Sequence, residues 1–368
     1  MGAENTTISI QELFMLMFLF EIGSTTLFAL GIDAKQDAWL VILVALIIGL
    51  AFIWVYTELQ RKFPEQNYIE IIISILGRGF GIPLALLYAV YWLWPAARNL
   101  REFGELITIV ALPEESLAAI LFLFILLSLY VLLSGIEVLG RTSLITLPII
   151  LIFMLSIFIL IYLSGVADFN NIRPIMANGI KPVLKTAYPN VAIFPFGEIL
   201  ICSMFWCYTE EEKLIRKTAM LVIILSGLLL SFTLFFDVSV LGDYYTSVTR
   251  IPLLRIIRVV DVGILTNIDI IGIVIIFLGG FYKMSIFLYG VARVVATVFN
   301  VKNYSRLLTI TGFFLLWVAI VFEPSYVFHR WMTPFDTNYF YITFLHIIPL
   351  LLLFINWIKE RINILSEG

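Results

Sequence analysis

Charged side chains are scarce in this chain. Asp, Glu, Lys and Arg make up only 13% of its 368 residues, whereas a soluble domain carries about 25%. Hydrophobic residues reach 61%, and the mean hydropathy is +1.04. These values exclude an ordinary water-soluble domain. They predict an integral membrane protein, in which each helical span needs about 20 mostly apolar residues.

Cysteine and histidine are also scarce, and this excludes several classes of site. Cys202 and Cys207 lie on one apolar segment and are too few and too close for a disulfide framework. His329 and His346 are isolated and lack the spacing of metal ligands. The sequence also has no phosphate loop, nucleophile elbow, nucleotide fingerprint or basic patch. We therefore expect no enzyme, no cofactor, no metal and no nucleic-acid partner.

Long hydrophobic runs, in contrast, fill the chain and predict an all-α membrane domain over 1–368. About ten spans are predicted, at 9–30, 38–59, 83–110, 116–134, 143–165, 182–207, 218–240, 268–296, 305–322 and 338–358. Loops on the side of the termini carry more Lys and Arg than the opposite loops. By the positive-inside rule, this bias predicts that both termini lie in the cytoplasm.

Two of the spans are interrupted at matching places. The first contains Gly23 followed by Ser, Thr and Thr, and the sixth contains Pro189 and Pro195. Gly23 and Pro195 lie about half a chain length apart. Non-helical backbone at membrane depth is tolerated only where it is buried in protein or lines a cavity. Paired interruptions of this kind indicate a transporter-type binding site near the bilayer midplane.

The third span carries four charges on one helical face. Arg98 and Glu102 are four residues apart, as are Arg101 and Glu105. Such pairs at i,i+4 attract one another on a helix surface. Two interpretations stay open: a self-neutralising ladder that fixes this helix to its neighbours, or a role in proton coupling or conformational switching.

Three further charges are predicted to lie deep in the membrane. Lys283 stands near the middle of the eighth span and needs a carboxylate, a ring of carbonyls or a bound anion. Glu198 and Glu21, beside the two interruptions, are its possible partners, and Glu198 also suits the first turn of a new half-helix. A structural ion pair and a ligand-binding or coupling site both remain open for Lys283.

Several short stretches, taken in order, resemble those of a known family. The chain resembles the B subunit of bacterial spore germinant receptors, in the endospore germination permease family of the amino acid–polyamine–organocation superfamily. The resemblance covers essentially the full length. The stretches are Glu21-Ile22-Gly23-Ser24-Thr25, Arg101-Glu102-Phe103-Gly104-Glu105-Leu106, Asn170-Asn171-Ile172-Arg173-Pro174, Phe194-Pro195-Phe196-Gly197-Glu198 and Phe281-Tyr282-Lys283-Met284-Ser285. The chain departs from the family pattern at Glu114-Glu115 and Thr266-Asn267, which affects loop details.

The resemblance implies an amino acid transporter-like fold that senses a ligand. It implies two inverted five-helix repeats, about 9–165 and 182–358, with the first and sixth helices broken. The implied function is binding of a nutrient germinant, typically an amino acid, together with an A-type membrane subunit and a C-type lipoprotein subunit. The implied location is a bacterial cell membrane or spore inner membrane. A proton- or sodium-coupled amino acid permease stays open, as does a channel or scaffold subunit without its own ligand.

The resemblance also implies a set of ligand-binding residues. Unwound backbone at Gly23 to Thr25 would receive a carboxylate, and aromatic side chains would cover an apolar group. The ammonium of Lys283 would stand where sodium-coupled relatives bind a cation, which favours sodium-independent binding. The full set is Gly23, Ser24, Thr25, Tyr91, Pro95, Phe194, Pro195, Phe196, Lys283 and Phe287. Coupling or structural charges are Glu21, Arg98, Arg101, Glu102, Glu105 and Glu198.

Overall fold

A computed structural model describes residues 7–23, 25–259, 269–322, 328, 331, 332 and 335–367. Within these residues the fold is helical, with one isolated backbone bridge between Ile8 and Thr209 and no named strand. Ser24 and His329 lie outside the described residues. The helices are α1 Ile10–Ile22, α2 Ala38–Lys62, α3 Tyr68–Val110, α4 Leu117–Leu133, α5 Ile136–Ser164, α6 Ile180–Thr186, α7 Ile215–Val248, α8 Pro252–Val259, α9 Asp269–Phe299, α10 Tyr304–Val321 and α11 Ile348–Glu367.

Seven helices in the described part of the chain are long and apolar enough to cross a membrane. Many of their large apolar side chains are exposed, as lipid contact requires. α4 is a shorter apolar helix. The protein is a multi-pass membrane protein. The seven segments are Ile32–Lys62, Tyr68–Val110, Ile136–Ser164, Glu212–Val248, Ile270–Phe299, Tyr304–Val321 and Tyr339–Ile362.

The first apolar run is α-helical only in its first half, and a short 3-10 turn follows at Thr25–Leu27. α1 begins at a capping box, in which the Glu12 backbone N–H donates to Ser9 Oγ and the Ser9 N–H donates to the Glu12 carboxylate. It ends at Ile22, well inside the run. The hydroxyl of Thr25 then donates to the Glu21 carbonyl, and that of Thr26 donates to the Ile22 carbonyl. These bonds satisfy carbonyl groups that the end of the helix leaves open.

The sixth apolar run, here called the sixth segment (residues 180–208), consists of short helical pieces. α6 passes into a π-helical turn at Ala187–Val191, and 3-10 turns follow at Glu198–Met204 and Trp206–Tyr208. Most side chains of its second half are buried against α1, α2, α3 and α9. Irregular backbone at this depth is therefore enclosed by protein, as the bilayer demands.

α9 approaches α1 backbone to backbone. A Cβ atom built on Gly23 would lie 2.6 Å from the carbonyl oxygen of Gly279, and one built on Gly279 would overlap the backbone of Gly23. Small residues permit such contacts between membrane helices. The contact holds the break in α1 beside the middle of α9, where Lys283 projects one turn farther along.

Candidate functional site

A cavity of about 660 Å³, here called the central cavity, lies beyond the C-terminal end of α1 and beside the sixth segment. Its walls come from the loop after α1, from α3, from the sixth segment, from the C-terminal end of α7 with the residues that follow it, and from residues before α11. At the other end of α1, backbone bonds join Ile8 to Tyr208 and Glu210. The molecule therefore has a cavity at one end of α1 and a backbone bridge at the other.

The lining of the central cavity combines both signs of charge with aromatic rings and amides. Glu198, Phe194 and Asn190 come from the sixth segment, while Arg98 and Asn99 come from α3. Sites for small polar ligands have this character: a partly apolar wall with a few polar groups that fix orientation. The other lining residues are Phe28, Ala29, Leu30, Gly31, Ile32, Asp33, Pro95, Glu102, Lys185, Thr186, Tyr188, Pro189, Val191, Ser247, Thr249, Arg250, Thr337 and Tyr341.

Three ionisable side chains, here called the charge cluster (Glu21, Glu198 and Lys283), lie together between α1, the sixth segment and α9. Lys283 Nζ lies 2.8 Å from Glu198 Oε2, although the angle between them is not that of a hydrogen bond. The side chains of Lys283 and Glu198 are 0% and 3% exposed. Because both side chains are almost fully buried, the pair attracts more strongly than a surface pair, and the loss of one partner would be costly.

Aromatic rings surround the ammonium group of Lys283. Its Nζ atom lies 4.3 Å from the ring centroid of Phe194 and 5.1 Å from that of Phe20. Ring faces attract a cation by their negative electrostatic potential, and this attraction is stronger where water is absent. Since Phe194 also lines the central cavity, it connects the charge cluster to the cavity wall.

Glu21 is the member of the charge cluster without a partner. It is fully buried, and neither of its carboxylate oxygens has a hydrogen-bond partner among the described residues. Its strongest electrostatic interactions are with Lys283 and Glu198. The cluster therefore contains two carboxyl groups and one ammonium group.

Arg98 joins α3 to the π-helical segment Asp336–Ile347. Its guanidinium forms an ion pair with Asp336, and the indole N–H of Trp94 donates to the same carboxylate at 3.1 Å. Arg98 and Asp336 are both buried, and Arg98 lines the central cavity. A charge on the cavity wall is thereby held in place by a partner far away in the sequence.

Glu105, another of the α3 charges, also pairs beyond its own helix. Arg101 Nε lies 2.9 Å from Glu105 Oε1, as the i,i+4 spacing predicts. The other oxygen of Glu105 lies 2.8 Å from the guanidinium of Arg250, between α7 and α8. This network ties α3 to the loop that borders the cavity.

Glu105→Gln tests the two interpretations of these charges. If the network is structural, we expect the free energy of unfolding to fall by about 1–2 kcal/mol, because two partly buried arginines lose a shared carboxylate. Thermal unfolding in detergent measures this. Glu137→Gln is the control, since Glu137 faces the exposed Arg141 at 3.9 Å. Unchanged stability with altered ligand affinity would favour the coupling interpretation.

The structure brings only part of the predicted ligand set to the central cavity. Of the predicted residues that are described, Pro95 and Phe194 line it. Lys283 does not line the cavity but contacts two residues that do, Phe194 and Glu198. Gly23 faces the backbone of Gly279. Ser24 lies outside the described residues.

The remaining predicted residues lie in packed surroundings. Tyr91 stacks on Phe344 with ring centroids 4.6 Å apart. Phe287 packs on Phe20 at 5.3 Å, and Phe196 is buried against Gly49. Thr25 is buried and bonded to the Glu21 carbonyl, and Pro195 is buried beside Phe196.

Some residues around the cavity are not predicted as site residues from the sequence. Asp336 stands just before the last apolar run and reads as an interfacial acid. Because an arginine at membrane depth needs a carboxylate partner, Arg98 itself indicates that an acidic residue such as Asp336 lies nearby. Asn190 lies within the predicted interruption of the sixth segment and lines the cavity, whereas the predicted ligand set takes only Phe194, Pro195 and Phe196 from that interruption.

Comparison with known proteins gives one family over most of the chain. The family model described as "Spore germination protein" matches residues 7–327. The chain is 31% identical to spore germination protein KB of Bacillus subtilis over 327 residues, which is 89% of this chain and 88% of that protein. It is 28% identical to the putative spore germination protein YfkT of Bacillus subtilis over 61% of each chain.

A solved structure shares the fold. Mhp1, a nucleobase-cation-symport-1 family transporter solved in a closed conformation with bromovinylhydantoin bound, superposes with a TM-score of 0.62. The match covers 96% of this chain and 80% of that chain at 13% identity. The fold is therefore that of a transporter-like membrane protein.

Proposed function

This chain belongs to the spore germination protein family, and we propose that it binds a nutrient germinant at the central cavity without transporting it. The observation that carries the proposal is that Phe194 and Glu198, which flank the interruption of the sixth segment, face one cavity together with Arg98. Binding there would favour one arrangement of the broken segments, and that preference would be passed to partner subunits.

The ligand that fits the cavity lining best is an amino acid. An amino acid carries an ammonium and a carboxylate group, and the lining offers the carboxylate of Glu198 and the guanidinium of Arg98. The amides of Asn99 and Asn190 add hydrogen bonds, and Phe194 adds a ring face for an apolar side chain. A ligand with both charges would therefore use groups of both signs.

The proposal includes the architecture and the surroundings of the chain. We propose ten spans in two inverted repeats, about 9–165 and 182–358, with both termini in the cytoplasm. The two interrupted runs and the transporter fold support this arrangement. An A-type membrane subunit and a C-type lipoprotein subunit in the spore inner membrane are the proposed partners.

An amino acid permease is the second candidate, and the shared fold with a symporter favours it. In that case the same cavity would load the substrate on one side and release it on the other. The backbone bridge between Ile8 and Thr209 would then have to open in every cycle.

Purified protein separates the two functions. We expect an L-amino acid to raise the thermal unfolding temperature in detergent, because only the folded chain holds the cavity. We also expect no uptake of that amino acid into proteoliposomes under a proton or sodium gradient. Concentrative uptake would overturn the sensing proposal in favour of the permease.

Phe194→Ala identifies the site of that stabilisation. Removal of the ring from the cavity wall is expected to weaken binding about tenfold or more, because the ligand then buries less apolar surface. Phe80→Ala is the matched control, because Phe80 is 80% exposed on α3 and lies apart from the cavity lining. Equal effects of the two substitutions would place the ligand elsewhere.

A further inference from the structure

We propose that the charge cluster releases one proton when the ligand binds: Glu198 accepts the ligand's ammonium group, Lys283 turns to Glu21, and Glu21 gives up its proton. This inference rests on the proposed binding of an amino acid at the central cavity. It assigns Glu198 as the residue that selects a primary amine and Glu21 as the proton-releasing group.

The composition of the cluster is the first argument. One ammonium group cannot neutralise two carboxylates, and a bare charge is expensive where water is excluded. Lys283 is paired with Glu198 at 2.8 Å, and Glu21 has no hydrogen-bond partner among the described residues. The neutral form of the cluster therefore places a proton on Glu21 while Lys283 stays with Glu198.

The position of Glu198 is the second argument. Of the three cluster members, all of them described, Glu198 lines the central cavity, and Glu21 and Lys283 do not. A cation that enters the cavity thus meets Glu198 first. A ligand ammonium that donates a hydrogen bond to Glu198 would compete with Lys283 for this carboxylate, because both are cations and the carboxylate lines the cavity.

The groups around Glu21 leave Lys283 as the partner that replaces its proton. α9 contributes Lys283, the sixth segment contributes Glu198 and Cys202, and α2 contributes Tyr56. Tyr56 is committed elsewhere, since its hydroxyl donates to the Leu345 carbonyl at 2.6 Å. The other ionisable side chains on α1, α5 and α7, which pack together, are Glu12, Glu137, Arg141, Tyr162, Arg216, Lys217, Asp237, Asp243, Tyr244 and Tyr245.

The charges balance through the exchange. Before binding, the cluster holds Lys283 as a cation, Glu198 as an anion and Glu21 as a neutral acid. After binding, the ligand ammonium pairs with Glu198 and Lys283 pairs with the Glu21 carboxylate. The O–H bond of Glu21 breaks, its proton passes to solvent, and both ammonium groups keep their own protons.

Calorimetry measures the predicted proton directly. The standard L-amino acids are titrated into the full-length protein, and each binder is remeasured in buffers of different ionisation enthalpy. We expect release of about one proton per ligand bound. Because binding releases a proton, affinity must rise with pH, about tenfold per pH unit while Glu21 is protonated in the free protein.

Two variants and one ligand analogue make the test specific. Glu21→Gln keeps the shape of the neutral acid but offers no carboxylate to the displaced Lys283, so it is expected to bind more weakly than the parent, with neither proton release nor pH dependence. Glu12→Gln, also on α1 but in the capping box, is the matched control and is expected to keep both. The 2-hydroxy acid analogue of the binding amino acid lacks the ammonium and is expected to release no proton, a result that needs no variant to fold.

The outcomes distinguish this inference from the function on which it rests. If none of the amino acids binds, the proposed amino acid function is overturned and this exchange with it. If one binds without proton release, or if Glu21→Gln still releases a proton, the exchange is overturned and the binding function stands. Equal proton release by the amino acid and its 2-hydroxy analogue would remove the role assigned to Glu198.

Discussion

Gly279→Ala is expected to destabilise the folded protein by about 1–3 kcal/mol and to abolish ligand binding, although alanine is the better helix former. The added methyl group would overlap the backbone of Gly23, which has no flexible side chain to move aside. α1 and α9 would have to separate, and the charge cluster spans these two helices. Overpacking would thus displace Glu21 from Lys283 as well as weaken the contact.

Thermal unfolding and ligand titration in detergent measure both effects. Gly79→Ala is the matched control: a Cβ atom at Gly79 would meet nothing within 4 Å, so this variant should be as stable as the parent or slightly more so. Gly23→Ala should reproduce the loss from the other side of the contact, since its Cβ would lie 2.6 Å from the Gly279 carbonyl oxygen. Wild-type stability of Gly279→Ala would show that the two helices can move apart freely.

The sequence was sufficient to predict the class of the protein and the position of its irregular backbone. Low charge and long apolar runs predicted a multi-pass helical membrane protein, which the structure confirms. The breaks after Ile22 and around Pro195 lie at glycine and proline, the residues that most weaken a helix, although α3 and α5 continue through Pro95 and Pro148. The family resemblance is also confirmed.

Contacts between distant residues were the part that local patterns could not supply. Four-residue spacing on α3 predicted Arg101 with Glu105, but it carried no information on Arg250 or on the pairing of Arg98 with Asp336. Likewise, Glu198 and Glu21 were equally good partners for Lys283 until the packing of the sixth segment placed Glu198 at 2.8 Å. Tertiary geometry decides such pairings.

Gly23 shows how one residue type serves two purposes. A glycine at a helix break is consistent with backbone that binds a ligand, which is what the sequence predicts for Gly23. A glycine is equally required where two helix backbones touch, and Gly23 faces Gly279 in this way. Its contribution to the site is therefore to hold α1 against α9, and direct ligand contact there stays a prediction.

Lys283→Met is expected to cost about 3–5 kcal/mol of folding free energy, because it leaves the Glu198 carboxylate buried without its partner. Methionine has a similar length and suits the rings of Phe194 and Phe20, so lost packing contributes little. Denaturant or thermal unfolding of the purified protein measures the loss. Lys217→Met, on the exposed face of α7, is the control and should change stability little.

The double variant Lys283→Met with Glu198→Gln separates charge from shape. Removing both charges relieves the unpaired carboxylate, so we expect most of the lost stability to return, since a buried ion pair adds little net stability over neutral groups of similar size. Glu198→Gln alone should also destabilise, because Lys283 would then depend on Glu21, and this would require Glu21 to lose its proton. Additive losses in the double variant would contradict a direct pair between Lys283 and Glu198, since independent sites add and coupled ones do not.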